Sequence, residues 1–245
     1  MIFVVSLLAV AVLVAVHLFS YKLRFLDGTP RSIWLSLAGG VSVAYVFVHL
    51  LPELAEGQEA IAEAAGEGFS FLEQHVYLVA LVGLATFYGL DRLATESRRR
   101  RRKAGGEDST EAGVFWIHIG SFAVYNVLTG YLLLNRLATG LEALVLFALA
   151  MALHFVVNDY GLREQHKGLY TRIGRWVISA AILIGWAIGL AIEVPEAAVA
   201  TLTAFLAGGV IMNILKEELP EERQSRFWAF AAGAAAYAAL LLVAF

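Results

Sequence analysis

The sequence predicts an all-α polytopic membrane protein: eight transmembrane helices in a 3+2+3 arrangement with inverted repeats and both termini external. Three observations predict it. Hydrophobic residues make up 60% of the chain and the mean hydropathy is +0.72, more than a soluble domain of this length carries. Seventeen of the 18 Lys and Arg residues fall in alternate loops and their edges, as positively charged cytoplasmic loops do. The string LAGGV followed by LPE occurs twice, within Leu37–Glu53 and Leu206–Glu221.

Each element follows from the need for roughly 20 apolar residues to cross a ~30 Å hydrocarbon core. The first run, MIFVVSLLAVAVLVAVHLFS, has no basic residue ahead of it and no small-residue cleavage signal after it. It is expected to be a retained span rather than a signal peptide, because the first basic residues, Lys22 and Arg24, follow the apolar stretch. The remaining spans fall at about 33–52, 71–91, 114–134, 141–162, 174–192, 197–216 and 226–245, after a first at 2–20, in a single domain covering 1–245. The basic residues then lie after spans one, three, five and seven; Arg136 alone lies outside this pattern.

Two loops stand out. The cytoplasmic segment 92–113 contains the run from Arg98 to Lys103 and reads either as a topology anchor against anionic lipid or as a regulatory, partner-binding loop. The external segment after span two holds six Glu and no Lys or Arg. Glu59, Glu63 and Glu67 are spaced i, i+4, which suits a solvated helical extension or a collar that concentrates cations. Pro52 and Pro220 are expected to mark helix ends.

The two LAGGV…LPE strings lie on spans two and seven, five crossings apart, and so run in opposite directions. That is the pattern of inverted-topology repeats, with substrate bound between the halves. The register slips by one residue between LAGGV and LPE. Their paired glycines, like GWAIG at Gly185–Gly189, suit close helix packing. Spans four and five remain between the repeats, and there the polar residues gather.

Ionisable and amide side chains are costly in lipid, so they face the bundle interior and are functional candidates. On span five, His154 and Asn158 share a helical face and Asp159 follows. Imidazole with an amide or carboxylate oxygen suits a divalent ion such as zinc. On span four, His118, Tyr125 and Thr129 lie on one stripe with Asn126 beside it. Plainer readings stand beside these. His154 suits an inter-helix hydrogen bond, Asp159 an i, i+4 ion pair with Arg163, and His118 a wet structural role. Tyr125 and Asn126 suit bonds between helices. His49 reads as a residue of the access path or of the membrane interface.

Taken together, the pattern resembles the ZIP family of zinc and iron transporters. LAGGVSVAYVFVHLLPEL is similar to that family's second span and FLAGGVIMNILKEELPE to its seventh. The resemblance implies metal ligands in HNxPEG-type motifs on spans four and five. In YNVLTG, Asn126 and Gly130 match; Tyr125, Leu128 and Thr129 stand where the family has His, Pro and Glu. In HFVVND, His154 matches, whereas Phe155 and Asn158 replace ligands. The resemblance thus implies a metal site at His154, Asn158, Asn126, Asp159 and His118, with Tyr125, Thr129 and His49 on the substrate path.

The expected function is transport of a divalent cation, zinc, iron or manganese, by alternating access through an atypical site. The alternative is a ZIP-fold protein that has lost metal transport and acts as a sensor, a scaffold or a carrier of another solute. No cofactor and no enzyme activity are expected, because no HxxxH or HExxH pattern supports an intramembrane hydrolase. The chain has no cysteine, which excludes disulfides and Cys-ligated metal. Expected partners are the lipid bilayer and a divalent cation, with zinc first, and no nucleic acid. Small-residue helix faces allow a homodimer. Composition points to an integral protein of a bacterial or archaeal plasma membrane.

Overall fold

The structure, a computed structural model, describes residues 2–23, 26–27, 31–65, 75–106, 110–218 and 226–244. These are helical almost throughout, with no strand among them. In chain order the helices are α1 (Ile2–Phe19), α2 (Ile33–Tyr45), α3 (Leu51–Ala65), α4 (His75–Lys103), α5 (Ala112–Thr139), α6 (Leu141–His166), α7 (Arg175–Ala191), α8 (Glu196–Glu218) and α9 (Phe227–Ala244). Among the described residues, seven helical stretches are long and apolar enough to cross a membrane, and the helix at Phe227–Val243 is shorter. Large apolar side chains such as Leu81, Val82, Ile117 and Ile184 point outward, each more than half exposed. A water-facing surface would not carry so many, whereas a lipid-facing one requires them.

Several boundaries differ from expectation, each for a local reason. A π-helical turn at Val46–Leu50 joins α2 to α3, so the helix does not stop at Pro52. Pro52 sits in the first turn of α3, where its missing N–H is tolerated. The helix continues through Glu59 to Ala65; Glu67 and the second LPE (Leu219, Pro220, Glu221) lie outside the described residues. The basic run expected as a loop is helical as far as Lys103, where exposed Arg99 and Arg100 pair with Glu96 one turn earlier. The turn between α5 and α6 is the single residue Gly140, whose φ of +156° is one that side-chain-bearing residues rarely adopt.

Three helix pairs pack most closely: α2 with α9, α4 with α8, and α5 with α7. Glycines make each approach possible. A Cβ added at Gly40 would lie 2.0 Å from the Phe230 carbonyl oxygen, and one at Gly233 would lie 2.2 Å from that of Leu37. At the α4–α8 crossing the same relation joins Gly208 to Ala80 (1.9 Å) and Gly83 to Phe205 (2.2 Å). Gly130 and Gly185 repeat it between α5 and α7, at 2.2 Å from Ile182 and 1.9 Å from Val127. In each pair, a glycine of one helix faces the carbonyl three residues before the glycine of the other. Backbones in contact replace the hydrophobic driving force that helices lack in lipid.

The inner faces of α1, α5 and α6 meet those of α2, α4 and α8 around an aromatic core of Tyr45, Phe87, Phe122, Tyr125, Phe147 and Phe155. Two ends can be told apart. Arg101, Thr110, His118 and His166 lie at one end; Glu53, Arg136 and Val194 lie at the other. Trp34, Trp116, Trp176 and Trp228 are all exposed, and each sits in the first turns of a helix that starts at the His166 end. A tryptophan girdle at one level is how helices register against a membrane interface.

Candidate functional site

The polar residues inside the bundle separate into three layers. At the Glu53 end, a wide cavity of about 740 Å³ opens between α3, α5 and α8. Its floor includes Arg136 and Thr203, which also line a second, inner cavity of about 20 Å³, room for a single water. Arg136 is only 7% exposed; its Nη2 donates to Glu53 Oε1, and its guanidinium lies 5.6 Å from the centre of the Phe147 ring. Arg136 thus lies on the boundary of the two cavities, with Glu53 on the side of the wide one. The pairing leaves Arg136 Nε, Glu53 Oε2 and Thr203 Oγ1 buried with no hydrogen-bond partner among the described residues. His49 stands 4.0 Å from Glu53 Oε2, too far for a hydrogen bond.

Of the residues expected on a substrate path, Tyr125 and Thr129 line the inner cavity and His49 lines the wide one. Thr129 donates to the Tyr125 carbonyl one turn back at 3.0 Å, and the Tyr125 hydroxyl points at Met151 Sδ, 3.9 Å away. Among the described residues, Arg136 is the one charged side chain lining this cavity.

The second layer is a buried network that ties three helices together. His17 on α1 is fully buried. Its Nε2 lies 2.8 Å from Asn126 Oδ1 on α5, and its Nδ1 lies 3.0 and 3.1 Å from the two oxygens of Asp159 on α6. Ser20 donates to Asp159 Oδ2 at 2.9 Å. Asn126 Nδ2 donates to the Phe122 carbonyl, an acceptor only, and this fixes which way the amide points. Asn126 therefore offers an oxygen to His17, and Nε2 must carry a proton. Asp159 does not pair with Arg163, as the spacing suggested. Arg163 instead bonds Asp27 and the Tyr21 carbonyl, because Asp159 faces the interior and Arg163 faces the loop after α1.

His154 and Asn158 are buried on the same face of α6, and His154 Nε2 and Asn158 Nδ2 have no partner among the described residues. The His154 ring packs 6.1 Å from that of Tyr125 and 6.2 Å from that of Phe155. The third layer is a relay at the His166 end. His118 Nδ1 and His166 Nε2 are 2.8 Å apart, and His166 Nδ1 is 2.6 Å from Thr110 Oγ1. Beside it, Asp91 receives Lys216 at 2.7 Å and Gln165 at 2.6 Å.

The five expected metal ligands are thus distributed over separate sites. Asn126 and Asp159 meet through His17, His118 is engaged by His166, and His154 and Asn158 stand apart. Among the described residues, no group of three or more His, Asp or Glu is placed to hold a metal ion. Sequence reasoning missed His17, although it is the only ionisable side chain between Ile2 and Phe19. An ionisable group in an otherwise apolar span is itself the signal. Arg136 was visible only as the exception to the charge pattern. No family model matches the chain, and no curated protein matches it.

Proposed function

We propose that this protein is a membrane carrier with a ZIP-like frame that moves a small polar solute, not a divalent metal ion, by alternating access. The frame is an eight-span 3+2+3 bundle with inverted repeats, α1–α4 pairing with α7–α9 around α5 and α6, and with the basic end cytoplasmic. The twin glycine crossings support the repeat: α2–α9 and α4–α8 are the contacts an inversion would exchange. The separation between Gly40 and Gly208, the crossing residues, equals that between Leu51 and Leu219. The LPE spacing, not the LAGGV match, then sets the register of the repeat.

The observation that carries the choice of cargo is Arg136. Among the described residues it is the sole charge lining the inner cavity, it is buried, and it sits where the wide cavity would have to open inward. A divalent ion in the inner cavity would meet a guanidinium and, among the described lining residues, no carboxylate, at a large desolvation cost. A paired Arg and Glu at the boundary of a wide cavity and a narrow one suits, in contrast, an external gate around an organic solute.

The natural absence of cysteine makes movement directly testable. Thr129→Cys in the otherwise unmodified chain should react with a membrane-impermeant maleimide from the external side in one population and from the cytoplasmic side in another. A static scaffold leaves it unreactive from both. Equilibrium dialysis with zinc and with manganese provides the second check. Bound metal should stay below one ion per chain and be the same in His154→Ala; one ion per chain that His154→Ala abolishes would restore metal as cargo.

A further inference from the structure

We infer that the Arg136–Glu53 pair is the binding site of a small zwitterion, a molecule carrying one carboxylate and one ammonium group, as an α-amino acid does. The inference rests on the carrier reading and names its cargo. Each member of the pair is only half used. Arg136 spends one nitrogen on Glu53 and keeps Nε buried without a hydrogen bond; Glu53 uses Oε1 and keeps Oε2 without a hydrogen bond, with His49 4.0 Å away. Buried polar atoms with unmet hydrogen bonds are rare in folded proteins and mark where a ligand or water completes the set. Here an unmet donor and an unmet acceptor of opposite charge both line the wide cavity, and Arg136 and the unpartnered Thr203 hydroxyl also line the inner one.

The charge of the site selects among ligands. A plain anion that took Arg136 would leave Glu53 an uncompensated carboxylate, and Glu56 and Glu196 line the same cavity. A plain cation that took Glu53 would strand a guanidinium that is nine-tenths buried. Breaking a buried pair by engaging one member alone is costly. A zwitterion inserted between the two replaces both halves at once, carboxylate on Arg136 and ammonium on Glu53, and leaves the site neutral. It would also separate the two side chains at the boundary of the cavities. Ligand binding and opening of that boundary would then be one event. Beyond it the inner cavity is walled by Leu132, Phe147, Met151 and Leu206, which suits a small apolar side chain on the ligand.

Three probes of one size class separate the alternatives: L-alanine, propionate, which lacks its amino group, and ethylammonium, which lacks its carboxylate. Binding is measured on the full-length protein in nanodiscs by equilibrium dialysis with radiolabelled probes. L-Alanine should bind saturably, and each fragment at least tenfold more weakly. Glu53→Gln should reverse the order in favour of propionate, because Arg136 is then free of its carboxylate. Arg136→Gln should favour ethylammonium. The Glu53→Gln, Arg136→Gln double variant, with no charge left unpaired, should fold and bind none of the three. A fragment that binds the parent as tightly as L-alanine, or an order unchanged in the single variants, overturns the zwitterion. So does the absence of saturable binding by all three probes. The two-sided reactivity of Thr129→Cys does not depend on any probe, so a carrier of different cargo would show that labelling and fail here.

Discussion

Replacing His17 by alanine should destabilise the bundle by roughly 3–5 kcal/mol, the loss expected when one partner of a buried charged pair is removed. The imidazole is fully buried and joins α1 to both α5 and α6. Without it, Asp159 keeps Ser20 and its neighbour Tyr170 but loses its bond to α1, and the Asn126 side-chain oxygen loses the donor described for it. Nothing else on the inner face of α1 replaces these bonds.

The asymmetry of the pair makes the prediction specific. Asp159→Asn should cost only about 1 kcal/mol, the net worth of a hydrogen bond. An amide at that position can donate to Nδ1 while His17, neutral, still donates from Nε2 to Asn126. Every bond of the network survives, and no charge is stranded. In the double variant, His17→Ala with Asp159→Asn, the remaining amide is uncharged and much of the loss should be recovered. Thermal unfolding of the four proteins in detergent gives the coupling directly. Equal losses for His17→Ala and Asp159→Asn would mean that the contact is incidental packing and not a buried charge balanced across three helices.

The frame was legible in the sequence because its determinants are local and repeated. Long apolar runs report helices, and the paired glycines report close helix crossings, so the all-helical, apolar character of the chain could be read directly. The boundaries shifted where a local rule met a tertiary one: Pro52 lies inside a continuing helix because the π turn before it absorbs the lost hydrogen bond. The interior was less legible. Span-by-span reading placed His118 with His154 because both lie on polar spans, but which residues face each other depends on helix rotation and depth. His118 starts its span at the basic end and meets His166, which closes the next one. His154 lies deeper, beside Tyr125. Arg136 and Glu53 are far apart in sequence, and no spacing rule pairs them. Only the observation that one arginine broke the charge pattern hinted that it had a partner inside.

The second large effect should come from adding one carbon. Helix propensity alone says that Gly→Ala stabilises a helix by roughly 0.5–1 kcal/mol. Gly83 and Gly89 lie on the same helix, α4, and test that rule against packing. At Gly89 an added Cβ meets nothing within 4 Å, so Gly89→Ala should be neutral or mildly stabilising. At Gly83 it would lie 2.2 Å from the Phe205 carbonyl oxygen, a backbone atom that cannot rotate away. The helices must part, and Gly83→Ala should cost at least the ~1–3 kcal/mol of ordinary overpacking. Gly208→Ala acts on the same crossing, so the two losses should fall short of additive when combined. Gly40→Ala acts on the α2–α9 crossing, with its carbonyl obstacle at 2.0 Å, and should add fully to Gly83→Ala. If the two crossings are equivalent parts of one inverted repeat, Gly40→Ala and Gly208→Ala should lower the unfolding temperature by similar amounts. A large difference between them, with Gly89→Ala still neutral, would keep the close packing and remove the repeat.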